Sequence, residues 1–219
     1  MATKRYGGIY AIKPWWQSRL AGIERVLVKH HVHPDAITFA GVVCAGLLGT
    51  ALFASGQWPL LALAVPPLAV GRLAANALDG LVARHTGLAH PRGEMFNECC
   101  DRISDSLVFA GLAFTRQVIA SLAWGVLVLA LLSSYVGITA RAAGGKRQFG
   151  GLLAKADRMI YLALFSPVVI WRGAVAWNWL LLAFIPALFI TLVQRYRWTS
   201  IDLKQVEERR KPNEPILVD

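Results

Sequence analysis

A chain of 219 residues with 56% hydrophobic content and a positive mean hydropathy, whose apolar residues come in runs of about twenty, belongs in a bilayer and not among soluble amphipathic folds. Its formal net charge of +10 matches nucleic acid by number alone. The basic residues, however, lie between the apolar runs and at the two ends, where they orient the chain and meet anionic headgroups, so nucleic acid is excluded as a partner.

From the N-terminus, "MATKRYGGIYAIKPWW" lacks the compact apolar core and small-residue cleavage site of a removable signal. Between Trp15 and Val28 the residues Trp16, Leu20, Ile23 and Leu27 recur at helical spacing, with Gln17, Arg19, Glu24, Arg25 and Lys29 on the other side. That pattern predicts an amphipathic helix lying in the membrane interface. His30, His31 and His33 belong to this basic stretch and read as solvated, not as ligands. At "HVHPDAITF", Pro34 suits a first helical turn and Asp35 can cap exposed amides.

Apolar runs then predict six spans, at about 36–54, 60–84, 93–114, 118–142, 159–171 and 177–194. The expected fold is all-α: an interfacial segment over 1–33, a six-span membrane domain over 34–198 and a cytoplasmic tail over 199–219. Lysine and arginine crowd the N-terminal segment, the stretches 84–92 and 141–158, and the tail, whereas the alternate loops offer Arg116 and Arg172. Both termini and the acidic residues clustered between Asp79 and Asp105 are therefore expected to face the cytoplasm. Cys44, Cys99 and Cys100 have no metal-type spacing and read as free thiols.

Five acids, Asp79, Glu94, Glu98, Asp101 and Asp105, gather beside these apolar runs. Steps of three, four and seven residues place Arg72, Asn76, Asp79 and Ala83 on one helical face, and Glu94, Asn97, Asp101 and Asp105 on another. Two adjacent antiparallel helices would converge these oxygens at the cytoplasmic surface, where a hard divalent cation is the simplest way to offset them. The alternative is a set of structural ion pairs with Arg72, Arg84, Arg92 and Arg102.

The spacing Asn76-x2-Asp79-Gly80-x2-Ala83-Arg84-x8-Gly93-x3-Asn97-x3-Asp101 resembles the signature of the CDP-alcohol phosphotransferase family, D-x2-D-G-x2-A-R-x8-G-x3-D-x3-D, at six of its eight defined positions. "HPDAIT" is similar to the Pro-Asn-x-x-Thr that opens the family's first span. Members move a phosphoalcohol unit from a CDP-alcohol, commonly CDP-diacylglycerol, to a second alcohol and release CMP, many of them as homodimers with two divalent metals.

The resemblance thus implies a phosphatidyltransferase of the bacterial cytoplasmic membrane that takes CDP-diacylglycerol and a polar alcohol, uses Mg²⁺ or Mn²⁺ and forms a homodimer. It makes Asp79 and Asp101 metal ligands, with Asp101 also the base for the acceptor hydroxyl. Asn76 and Asn97 keep an oxygen ligand but lose a charge, which Asp105, one turn beyond Asp101, or Glu98, beside Asn97, can restore; Asp105 is therefore counted with the metal and catalytic set.

Arg72, Asp79, Gly80, Ala83, Arg84 and Gly93 form the expected nucleotide side: Gly80 and Ala83 remove bulk where a nucleotide approaches, and Arg84 can pair with phosphate. Arg141, Lys155 and Arg158, in a group with Lys146 and Arg147, resemble the family's pocket for a phosphorylated acceptor, although the positive-inside rule alone also accounts for them. Other readings are a CDP-aminoalcohol phosphotransferase acting on diacylglycerol and a non-catalytic CDP-lipid-binding descendant. A transporter is disfavoured by acids on one side of the membrane.

Overall fold

The computed structural model describes residues 13–209, with side chains from Ser18 to Glu208. Trp15, Trp16 and Gln17 as side chains, and the last ten residues of the tail, lie outside that range. Seven helices follow in order: α1 (Lys13–Lys29), α2 (Pro34–Ala54), α3 (Val65–His85, entered through a 3₁₀ segment Pro59–Ala64), α4 (Pro91–Ala113), α5 (Ala120–Ala142), α6 (Lys155–Arg172) and α7 (Trp177–Arg209). No strand occurs among the described residues.

Local chemistry sets the boundaries. The α1 helix ends with His31 at φ 51°, while the Val32 amide reaches back to the Leu27 carbonyl and the His31 amide to that of Val28. This is a Schellman closure with histidine in the left-handed position where glycine is usual. The cap of α2 is His33, whose Nδ1 accepts from the Asp35 amide at 3.3 Å, so capping falls to the residue before Pro34 and not to Asp35. His90 plays the same part for α4, accepting from the Gly93 amide at 2.9 Å with Pro91 in the first turn.

The expected face of α1 divides. Leu20 is buried in a cluster with Ile37, Ala75, Leu78 and Val82, while Ile23 and Val26 stay exposed. The α1 helix thus leans on α3 through part of its apolar surface.

The core is built where α2 meets α4 and where α5 meets α7. Leu48, Leu52, Val108, Phe109, Leu112, Ala130, Leu162, Leu181 and Trp177 are fully enclosed. Gly49 and Gly111 let the α2 and α4 backbones touch: a Cβ on Gly111 would strike the Gly49 main chain, and one on Gly49 the Leu107 carbonyl. Small residues at such crossings are how helices approach closely in lipid, where no hydrophobic force drives them together. Polar ties near the far end include Trp177 Nε1 to Ser55 Oγ at 3.1 Å and Asn178 to the Ile119 amide at 2.8 Å.

Among the described residues, four segments are long and apolar enough to cross a membrane: Pro34–Ala54, Pro59–His85, Ala120–Ala142 and Ala174–Glu208. The other two expected spans exist as helices, but α4 carries Glu94, Glu98, Asp101, Arg102 and Asp105, and α6 carries Lys155, Asp157, Arg158 and Arg172. The α7 helix does not stop near Gln194. At 33 residues it is about 50 Å long, and its last turns occupy much of the expected tail.

Candidate active site

The backbones of α3 and α4 pack along α2 rather than extensively against one another. Long side chains close the gap between them. Arg72 of α3 donates to Asp101 Oδ1 of α4 at 2.8 Å, with both residues buried. From the first turn of α6, Lys155 Nζ donates to Asn76 Oδ1 at 2.6 Å and also pairs with Asp101. One ammonium therefore stands between the carboxamide of α3 and the carboxylate of α4.

Asp79 is buried and fully engaged: Thr38 Oγ1 of α2 donates to its Oδ2 at 2.9 Å, and the Gly80 amide to its Oδ1 at 2.6 Å. It lies within electrostatic range of Asp101 and Lys155. The Arg84 guanidinium curls back over Gly80, where an added Cβ would come within 3.2 Å of Nη1. The bare backbone at Gly80 thus provides room for an arginine at the helix end. Gly93 sits under the His90 ring that caps α4, with 3.4 Å from a built Cβ to the ring.

On α4, Asp105 Oδ2 pairs with Arg158 of α6 at 2.9 Å, both side chains being 2% exposed. Arg102 lies 3.9 Å from Asp101 and from Asp105, and 3.1 Å from Glu98, whose other oxygen takes Arg147. Arg141, at the end of α5, pairs with Glu94 at 2.6 Å on the surface. Of the expected metal set, Asn76, Asp101 and Asp105 are joined to Lys155 and Arg158 of the expected acceptor set, whereas Asp79 is held by Thr38 and Gly80, and Arg141 pairs with Glu94 instead.

Among the described residues, no three histidine, cysteine or acidic side chains group tightly enough to hold a metal by themselves. The Asn97 Oδ1, one turn before Asp101 on the same face, is buried and has no hydrogen-bond partner. A buried carbonyl oxygen without a donor is costly in an apolar surround, and it is the kind of hard ligand a divalent cation takes. It is of the same hard-oxygen type as the carboxylates of Asp79 and Asp101, which lie within electrostatic range of each other.

Three contributors were not singled out from sequence. Thr38 fixes Asp79, and a Pro-x-x-x-Thr spacing at the start of α2 was its visible signal. Arg147 emerges from a basic run that looked uniform. Arg195 of α7 is buried and donates to the carbonyls of Ser133, Phe149 and Gly150 at 2.7–2.8 Å. Along the same helix, Thr191 Oγ1 and Gln194 Oε1 accept from the amides of Leu153 and Leu152, at 2.8 and 3.0 Å, and Asp202 accepts from that of Lys146 at 2.5 Å. These bonds fix the loop between α5 and α6, which delivers Arg147 and Lys155.

No family model matches the chain. Its sequence is 33% identical over 195 residues to inner membrane protein YnbA of Escherichia coli (strain K12), covering 89% of this chain and 93% of that protein. It is also 33% identical over 193 residues to phosphatidylinositol phosphate synthase of Mycobacterium tuberculosis (strain ATCC 25618 / H37Rv), covering 81% and 85% respectively. Two crystal structures of the M. tuberculosis synthase share the fold. One, in complex with manganese and citrate, matches with a TM-score of 0.66 at 26% identity, over 82% of this chain and 88% of that one. The other, with CDP-DAG bound, matches with a TM-score of 0.65 at 26% identity, over 81% and 92%.

Proposed function

The chain belongs to the CDP-alcohol phosphotransferase family, and we propose that within it the protein transfers a phosphatidyl group from CDP-diacylglycerol to a polar alcohol with release of CMP. The observation that supports this reading most is the convergence of Arg72 and Asn76 from α3, Asp101 from α4 and Lys155 from α6, with Asp79 in electrostatic range of Asp101 and Lys155. Its similarity to a synthase crystallised with CDP-DAG and with manganese points the same way.

In this reading Asp79, Asn97 and Asp101 hold a divalent cation, Mg²⁺ or Mn²⁺, which when bound supplies positive charge against the pyrophosphate. Arg84, free of side-chain bulk at Gly80, pairs with phosphate on the nucleotide side. Arg72 and Lys155 both address Oδ1 of Asp101, which leaves Oδ2, 3.9 Å from Arg102, to meet the acceptor hydroxyl. Asp101 takes that proton, the acceptor oxygen bonds to the phosphorus bearing the diacylglycerol, and the bond from that phosphorus to the CMP oxygen breaks.

We place α4 and α6 in the bilayer as well, for six spans. At 23 and 18 residues they measure about 34 and 27 Å, close to the hydrocarbon thickness, and the charged side chains of Asp101, Asp105, Asp157 and Arg158 are buried in the bundle. Basic residues at the site end put it, with both termini, on the cytoplasmic side, and a homodimer is the expected assembly. The non-catalytic reading has one observation in its favour: every acid on the α4 face already has a basic partner.

The deciding experiment incubates purified protein with CDP-diacylglycerol, Mn²⁺ or Mg²⁺ and a panel of alcohols, and follows CMP. Release that depends on an alcohol supports the transferase. CDP-diacylglycerol binding without release under every condition refutes it in favour of a binding protein.

A further inference from the structure

The charges around Asp101 balance before any cation is added. Arg72 donates to Asp101 Oδ1 at 2.8 Å, and Lys155 pairs with the same oxygen while donating to Asn76 Oδ1 at 2.6 Å. Asp79 lies within electrostatic range of Asp101 and Lys155. Two carboxylates and two basic side chains thus cancel, and the oxygens of Asn76 and Asn97 bring no charge of their own.

We infer that the site takes one divalent cation per chain, and that the Lys155 ammonium stands where a second would sit. This deepens the transferase reading, from which the donor's pyrophosphate enters the count. An ionised pyrophosphate diester carries two negative charges, which one dication offsets. A second dication would leave two positive charges unmatched in a partly dry site. The family signature has aspartate where Asn76 and Asn97 stand, so the two carboxamides remove as much negative charge as one dication brings.

The acids that could restore that charge are engaged elsewhere. Glu98 pairs with Arg102 and Arg147, and Asp105 pairs with Arg158 at 2.9 Å, both side chains 2% exposed. A second dication would have to move Lys155 off Asn76 and Asp101. It would then settle among carboxamide oxygens and a carboxylate that already bonds Arg72. Hard cations bind more weakly as the charge of their ligands falls. An ammonium asks only for hydrogen-bond acceptors, and the Asn76 oxygen supplies one as an aspartate would.

The test counts Mn²⁺ bound to the purified protein with CDP-diacylglycerol present and no acceptor, by electron paramagnetic resonance, against CDP-diacylglycerol alone as the blank. The expected result is about one Mn²⁺ per chain, lost in Asp79→Asn, without the exchange-coupled spectrum of two ions about 3.5–4 Å apart. Two Mn²⁺ per chain that both depend on Asp79, or a coupled spectrum, overturns the inference. So does the absence of any bound Mn²⁺. The transferase reading has its own readout: no CMP with any alcohol while one Mn²⁺ is bound overturns that reading and leaves the count standing. A second arm tests the cause. Asn76→Asp with Lys155→Met, or Asn76→Asp with Asn97→Asp should the first pair not fold, makes the site more negative by two charges and should raise the count to about two. A count that stays at one in both pairs overturns the roles given to Lys155 and the carboxamides.

Discussion

Asp105 has two candidate roles that a single substitution separates. By sequence it restores metal-binding charge lost at Asn97. In the structure its Oδ2 lies 2.9 Å from Arg158, with both side chains 2% exposed, and Arg158 Nε is buried with no acceptor. In Asp105→Asn the guanidinium stays buried without its counter-charge, a loss of about 3–5 kcal/mol when one partner of such a pair is removed. For a chain of this size that corresponds to a fall in Tm of roughly 6–20 °C. Asp105→Leu with Arg158→Met removes both charges together and should recover most of the loss. Thermal unfolding in detergent gives the stabilities, and Mn²⁺ titration followed by electron paramagnetic resonance gives the affinity. A midpoint unchanged in Asp105→Asn together with weakened Mn²⁺ binding, rescued by Asn97→Asp, would refute the structural pair and make Asp105 a ligand.

Asp79→Ala and Asp101→Ala should each lower CMP release at least about 10²-fold in folded protein; a near-normal rate in either strips that residue of its role. Excess chelator should stop CMP release and added Mn²⁺ or Mg²⁺ restore it, whereas undiminished turnover in chelator rules out the cation. Gly111→Leu should abolish a monodisperse peak in size-exclusion chromatography, because α2 and α4 cannot separate to admit the side chain, while Gly22→Ala, which meets nothing within 4 Å, should leave the profile unchanged. Thr191→Val with Gln194→Leu loosens the loop between α5 and α6 and should raise KM for the acceptor more than for CDP-diacylglycerol; equal changes would mean a general loss of stability.

Element positions were legible because each is set locally. Apolar runs, Pro34 and the amphipathic spacing of the first helix located six of the seven helices to within a few residues, and the face shared by Asp79 and Asn76 followed from helical spacing alone. Spacing says which residues share a face, but not what opposes that face. The pairing of Glu94, Glu98, Asp101 and Asp105 with Arg141, Arg147, Lys155 and Arg158 joins residues 47 to 54 positions apart, and it depends on how the chain returns from α5 into α6. Read one segment at a time, the acids suggested metal and the bases suggested phosphate. The length of α7 was hidden for a different reason: beyond Gln194 it is polar and charged, and its continuation as helix rests on contacts such as Asp202 with the Lys146 amide that composition does not display.

The grip of α7 on the loop before α6 falls on the main chain. Thr191, Gln194, Arg195 and Asp202 take amides and carbonyls of Lys146, Phe149, Gly150, Leu152 and Leu153, and none of these bonds reads a side chain of the loop. A segment held in this way keeps its path through most substitutions along it. Mutation can therefore rewrite the side chains of this loop while the track beneath them stays in place. Asp79, tied to the Gly80 amide and Thr38, has no such slack, so under the proposed function new acceptor preferences would arise by point changes in one loop without rebuilding the residues proposed to handle the nucleotide.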